Sequence, residues 1–181
     1  MNLDQLLDQV RHGEPIAHLS LAGQDLRGLD LAGAFFDQVD LSGARMSGCQ
    51  LQDSQFLNCV LAGVDAADAN LDMARLFRCQ ARGAVLDRSH AHGVSFTECD
   101  LGQASLEGAE LREAAFNSTS LEAASFRSAR VERSVFSRGA LARADLSQAR
   151  MSYTLLHQLD LRSIVLAGAS GLVFLAGAAG R

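Results

Sequence analysis

Every fifth residue from Ile16 to Leu166 is apolar. The register runs without insertion through Leu21, Leu26, Leu31, Phe36, Leu41, Met46, Leu51 and Phe56, and on through Phe136, Leu141, Leu146, Met151, Leu156 and Leu161. Only Ala66, Ala81 and Ala91 in this column are smaller than valine. A second column, two residues earlier, is apolar or small, as in Ala34, Val39, Ala44, Cys49, Ser54, Cys59, Val64, Ala69, Ala74 and Cys79. An α-helix advances about 100° per residue, so a step of five rotates each apolar residue by roughly 140° and scatters the set around the cylinder. A strand has a period of two, so the same step alternates faces. The pattern therefore predicts a chain that corners once per pentad and renews its inward direction at each unit, which is the mark of a solenoid.

Residue types set the number of pentads per coil. Phe36, Phe56, Phe96, Phe116 and Phe136 are separated by multiples of twenty, Leu76 and Leu156 fill the same column, and among the central phenylalanines only Phe126 lies elsewhere. Four pentads per turn place like on like and let the rings pack over one another. The expected cross-section is a square. Residues 14–168 would make about eight coils, a rod of about 37 Å at the usual spacing of strands.

The ends break the register. Leu3, Leu6, Leu7 and Val10 follow helical spacing, Gly13 suits a helix C-terminus and Pro15 prevents continuation. Residues 1–13 are therefore expected to hold a short amphipathic helix that caps the first coil, whose parallel edge would otherwise invite aggregation. At the other end no charged residue appears from Ser163 to Gly180, and Leu172, Val173, Phe174 and Leu175 form a dense apolar cluster. The glycines at 168, 171, 177 and 180 lower helix propensity and hydrophobicity, which argues against a membrane span. Residues 169–181 are expected instead to close the last coil and pair with a second molecule.

Pentads such as Ala-Asp-Leu-Ser-Gln at 144–148, Ala-Asn-Leu-Asp-Met at 69–73, Val-Asp-Leu-Ser-Gly at 39–43 and Cys-Asp-Leu-Gly-Gln at 99–103 resemble the A(D/N)LXX repeat of the pentapeptide-repeat proteins. The resemblance covers residues 14–168. It implies an all-β fold, a right-handed quadrilateral parallel β-helix. It also implies that the residue before each central apolar position bonds the turn backbone, as an Asp or Asn side chain can. Asp25, Asp30, Asp40, Asp65, Asn70, Asp100, Asp145 and Asp160 match that position. Some members of the family form dimers through their C-terminal ends, a pairing that the apolar tail would fit.

Composition and chemistry narrow the function. Hydrophobic content is 48%, with one Pro and no Trp, and the net charge of −5 disfavours direct binding to nucleic acid. Cys49, Cys59, Cys79 and Cys99 all occupy the small inward column, the last three twenty apart, so they are expected to stack as reduced thiols acting as small hydrophobes. They show no zinc-type spacing. Reduced thiols and the lack of a basic segment followed by an apolar one at the start point to a cytoplasmic chain. His90 and His92 flank Ala91 and project outward, and without a third ligand they are read as exposed histidines rather than a metal site. No nucleophile elbow, phosphate loop or dinucleotide fingerprint occurs. The expectation is a protein without enzymatic activity, metal or cofactor.

Function is then sought on the outer surface. The resemblance implies one well-known role, mimicry of duplex DNA by an acidic rod that binds gyrase, to inhibit it or to protect it from quinolones. That role demands a face of carboxylates opposed by few cations. No face of this rod is strongly acidic, and the register leaves no room for the projecting loops that some quinolone-resistance members use. The most patterned face is centred on Leu31, Leu51, Leu71, Ala91, Leu111, Val131 and Met151. Its early coils carry Asp30, Asp53 and Asp72 without a cation, its late coils carry Arg130, Arg133 and Arg150 against Glu132, and Glu110, Arg112 and Glu113 lie between. This split suits a docking surface for a protein of complementary polarity. The leading expectation is a noncatalytic interaction module, an adaptor or scaffold, with the association of family members with secretion loci, type VI systems included, as one setting. A gyrase-modulating DNA mimic and a purely structural rod, self-assembling through Leu172, Val173, Phe174 and Leu175, are the alternatives.

Overall fold

The computed structural model describes residues 3–177. One helix, α1 (Leu3–His12), precedes nine short strands. These are β1 (Ile16–Ala17), β2 (Phe35–Asp37), β3 (Gln55–Leu57), β4 (Arg75–Phe77), β5 (Ser95–Thr97), β6 (Ala115–Asn117), β7 (Val135–Ser137), β8 (Thr154–His157) and β9 (Val173–Ala176). They form one parallel sheet in chain order, each pairing with its equivalent in the next coil. Phe36 faces Phe56 and Phe116 faces Phe136, a step of twenty residues, and isolated bridges repeat that step on the other three faces.

Backbone hydrogen bonds between coils carry this arrangement. The amide of Leu41 donates to Val60 O at 2.7 Å, and that of Val60 donates back to Val39 O at 3.0 Å. Within each coil three of the four corners are tight turns, as where Ala34 N donates to Leu31 O at 3.1 Å. The third residue of such a turn has positive φ, which glycine takes freely and other residues take at a cost of roughly 1–2 kcal/mol. Gly33 and Gly43 occupy it here, but so do Asp53 (φ 58°), Met73 (φ 60°), Arg133 (φ 58°) and Tyr153 (φ 62°). The ladder on either side holds these residues where their own preference would not.

The eight turn-bonding positions all behave alike. Each of Asp25, Asp30, Asp40, Asp65, Asn70, Asp100, Asp145 and Asp160 accepts a bond from the amide two residues on, at 2.8 to 3.4 Å. Bonds to the ionised form lower a carboxyl's pKa. The Arg27 side chain holds Asp25 down at about 2, Ser42 lowers Asp40, Ser147 lowers Asp145 and Arg162 lowers Asp160.

Inside, the aromatic column stacks in nearly parallel pairs. Ring centroids are 4.8 Å apart for Phe36 and Phe56, 5.1 Å for Phe96 and Phe116, and 4.6 Å for Phe116 and Phe136. Phe126, from another face, meets Phe116 and Phe136 edge-on at 5.9 and 5.8 Å. The small column holds the four cysteines, all free and buried. The Sγ of Cys79 donates to Phe56 O at 3.4 Å, and that of Cys99 to Leu76 O at 3.4 Å. Contacts with the Cys59 and Cys99 thiols, then burial, push the Cys79 pKa far up, so that it packs as a neutral group. Ser54 and Ser89 in the same column donate to carbonyls at 2.7 and 2.8 Å, which satisfies their buried hydroxyls.

The two ends differ. Helix α1 buries Leu6 completely and packs Leu7 and Val10 on the first coil. Gly13 N donates to Val10 O at 3.0 Å and Glu14 N to Gln9 O at 2.9 Å, the paired bonds of a Schellman stop. At the far end the step between β8 and β9 shortens to nineteen, with Leu156 facing Leu175. Gly171 makes the shortening possible, because a Cβ there would lie 2.5 Å from Ser152 N. Nothing among the described residues covers this last rung. Leu166 is 50%, Leu172 58%, Phe174 47% and Leu175 73% exposed, whereas Val173 is half-buried against the core. The part of the 169–181 expectation that falls on residues 178–181 lies outside the described residues.

Phe116 is enclosed by three rings, so Phe116→Ala should lower stability by about 3–5 kcal/mol, read as a fall in the urea or thermal midpoint. The lowered aspartates add a pH dependence. Their folded pKa lies below the unfolded value of about 3.9, so their stabilisation is present above about pH 4 and lost as pH falls through the folded values, toward about 2 for Asp25. Asp145→Asn keeps the acceptor oxygen but cannot titrate. Its melting temperature should therefore fall less steeply over that window than the wild type's, and equal slopes would show that Asp145 is not linked to folding.

Candidate functional site

The face centred on Leu31 to Met151 presents three outward columns. One, just before the central residues, stacks Asp30, Gln50, Asn70, His90, Glu110, Arg130 and Arg150 by successive backbone bridges. The second, just after, runs Ala32, Gln52, Asp72, His92, Arg112, Glu132 and Ser152. The third occupies the positive-φ corner and runs Gly33, Asp53, Met73, Gly93, Glu113, Arg133 and Tyr153. The fold thus brings all six docking candidates onto one face. Asp30, Asp53 and Asp72 lie toward α1, and Arg130, Arg133 and Arg150 toward the open end.

Their surroundings are unequal. Among the described residues Asp30 accepts only the Ala32 amide, at 3.2 Å, and Asp72 accepts the His92 amide of the next coil at 2.8 Å. Neither the Asp53 carboxylate nor the Arg150 guanidinium has a hydrogen bond or ion pair among the described residues. The remaining cations and acids form a network of long contacts. Arg130 lies 3.3 Å from Glu110 and 3.9 Å from Glu132, Arg112 lies 3.6 Å from Glu132 and 3.9 Å from Glu110, and Arg133 lies 3.6 Å from Glu113. Elsewhere Arg11, Arg75, Arg82 and Arg138 have no ion pair among the described residues, but the pairs that the other arginines do form are shorter, at 2.5 to 3.1 Å. Arg27 meets Asp25 at 2.7 Å, Arg78 meets Glu98 at 2.7 Å, Arg88 meets Asp68 at 2.9 Å and Arg143 meets Glu122 at 2.6 Å. Charge-assisted bonds close to about 2.7–2.9 Å when both partners commit. On this face they do not close, so the guanidinium donors remain available to an incoming group.

A shallow depression of about 460 Å³ lies on the late coils, between His92, Arg112, Glu113, Glu132, Arg133, Ser152 and Tyr153. Tyr153 is 62% exposed and Met73, four coils below it in the corner column, 48%. Tyr, Arg and Met are the types enriched in protein interfaces. Sequence reasoning passed over Met73 and Tyr153, although their place two residues after the central apolar position would have marked them as corner residues. His90 and His92 lie outward in adjacent columns, with His92 Nε2 3.9 Å from Glu113. Among the described residues no group of three or more His, Cys, Asp and Glu could hold a metal ion. No described helix is long and apolar enough to cross a membrane.

The oligomerisation candidates form a second region at the uncovered last rung. A depression of about 300 Å³ there is lined by Leu156, Gln158, Leu159, Leu161, Leu175, Ala176 and Gly177.

A stack of square coils closed by Asx-bonded turns defines a pentapeptide-repeat β-helix. The family model for pentapeptide repeats matches with eight copies over residues 20–56, 44–80, 74–112 and 99–138, more than half of the chain. The protein belongs to this family, and its fold is the right-handed quadrilateral β-helix. Among solved structures it is similar to a trypsin-treated variant of QnrB1, a plasmid-mediated fluoroquinolone resistance protein, with a TM-score of 0.68 at 22% identity, covering 88% of this chain and 83% of that one. The full-length QnrB1 structure gives a TM-score of 0.56 at 19% identity, over 87% of this chain and 93% of that one. At this identity the likeness concerns the fold. No curated protein is matched by the sequence.

Proposed function

We propose that this protein is a noncatalytic, cytoplasmic interaction module, a rigid rod that serves as an adaptor or scaffold for another protein through the face of Asp30 to Tyr153. The observation that carries this reading is the cluster of arginine–carboxylate pairs on that face that stay at 3.3 to 3.9 Å, where the pairs formed elsewhere close to 2.5 to 3.1 Å. Exposed ion pairs contribute only about 0–1 kcal/mol to stability, so leaving these open costs the fold little. The same donors gain more when an interface excludes water around them. Gyrase and secretion components are the partners that the family resemblance offers. Duplex mimicry of gyrase is the weaker reading, because Arg112, Arg130, Arg133 and Arg150 interrupt the carboxylates of the most patterned face. The uncovered last rung supports a second contact, a homodimer joined end to end.

A tagged pull-down from bacterial lysate tests the docking face. Joint substitution of Arg130, Arg133 and Arg150 by Glu should reduce recovery of the bound protein by about tenfold or more. Undiminished recovery would overturn the assignment of the face, and recovery of gyrase subunits by the wild type would restore the mimicry reading. For the end contact, Phe174→Asp with Leu175→Asp should sediment as a monomer in high salt, where the wild type stays a dimer, and an unchanged mass would exclude pairing through this rung.

A further inference from the structure

We infer that the docking face is self-complementary and that its first occupant is a second copy of this chain, laid antiparallel across it. This deepens the docking-face reading and rests on it. Two rods placed face to face by a two-fold axis lying in the interface, perpendicular to the rods, bring each outward column against itself with its order reversed. With the axis at the coil of His90, His92 and Gly93, Asp30 meets Arg150 in the first column, Asp72 meets Arg112 in the second and Asp53 meets Arg133 in the third. The symmetry repeats each pair, so the three sequence matches become six intermolecular ones.

The remaining positions agree. Arg130 meets Gln50, and Glu132 and Glu110 meet the amides of Gln52 and Asn70, so no permanently charged side chain opposes its like. Among the charged residues of the face only Glu113, against Met73, finds no polar counterpart. The protruding Tyr153 meets Gly33, where even a Cβ would have nothing within 4 Å, so the bulkiest residue of the face falls opposite its flattest place. Asp53 and Arg150, which lack partners within the rod, both acquire one.

Two of the other faces fail the same test about their central coils. The same operation about Val85 sets Asp25 against Asp145 on the face of Leu26, and about Asp100 it sets Asp40 against Asp160 on the face of Leu41. The matched strip spans six coil steps, about 29 Å. It is polar and narrow, which makes the association salt-sensitive and one that a heterologous partner can displace. It is distinct from end-to-end pairing at the last rung, and the two can coexist.

Charge-swap complementation tests the arrangement by sedimentation velocity at low salt. The wild type should be heavier at low salt than in high salt, where only end pairing can persist. Asp53→Arg and Arg133→Asp should each weaken self-association at least about tenfold, because both symmetric contacts then oppose like charges. An equimolar mixture of the two variants should recover the dimer, since each altered site then faces the other. A His90→Cys variant under mild oxidation should form an intermolecular disulfide with its own copy, the native thiols being buried. A wild-type mass that does not fall in high salt, single variants that sediment like the wild type, or a mixture that stays at the mass of the single variants would overturn the proposal. Should any of these occur while the wild type still recovers a partner in the pull-down, the self-pairing fails and the docking face stands. Loss of that recovery as well would remove both.

Discussion

The backbone ladder between successive coils is the constraint on which the rest of the structure depends. Each coil donates and accepts along all four sides, as when Leu41 N reaches Val60 O and Val60 N returns to Val39 O. Once that ladder is closed at a step of twenty, every residue lies above its own equivalent. Rings stack on rings from Phe96 through Phe136, and thiols on thiols from Cys59 to Cys99. Stability in such a filament accumulates from neighbour contacts rather than from one central core. A rod can therefore be narrow and still bury Ile16, Leu51 and Met151.

The ladder also decides what the surface can do. It forces Asp53, Met73, Glu113, Arg133 and Tyr153 into left-handed corners that an isolated chain would rarely visit. That conformation presents their side chains along one edge of one face. The aspartates before the central apolar residues are largely consumed in holding the turns, so much of the acidic composition is structural. On the docking face the remaining ion pairs stay at 3.3 Å or longer, and Asp53 and Arg150 have no partner among the described residues. Charges that the fold does not use are the ones a partner can use.

The ends show how the same ladder is terminated in two ways. Helix α1 removes one edge by burying Leu6 against the first coil behind a Schellman stop. The other edge is the last rung of a solenoid with its apolar side chains uncovered, and the shortened step at Gly171 keeps Leu175 over Leu156 to the end. A parallel edge left in this state is a surface for pairing.

The period of five, the coil of twenty, the inward columns and the turn-bonding Asp and Asn positions were all legible in the sequence. Each depends only on which residue recurs at which step, and a solenoid without insertions converts sequence distance directly into height along the rod. The early acids and late arginines of the docking face could be read in the same way. Their state could not. The long contacts of Arg112, Arg130 and Arg133, the isolation of Asp53 and Arg150, the exposure of Met73 and Tyr153 and the open rung at Leu175 depend on lateral distances between columns and on what lies above the last coil. The sequence by itself determined the repeat, and with it the core and the stacking. Only the tertiary structure decided which charges remain free, because column order says who is above whom, whereas the distance across a corner is set by the backbone's path through it.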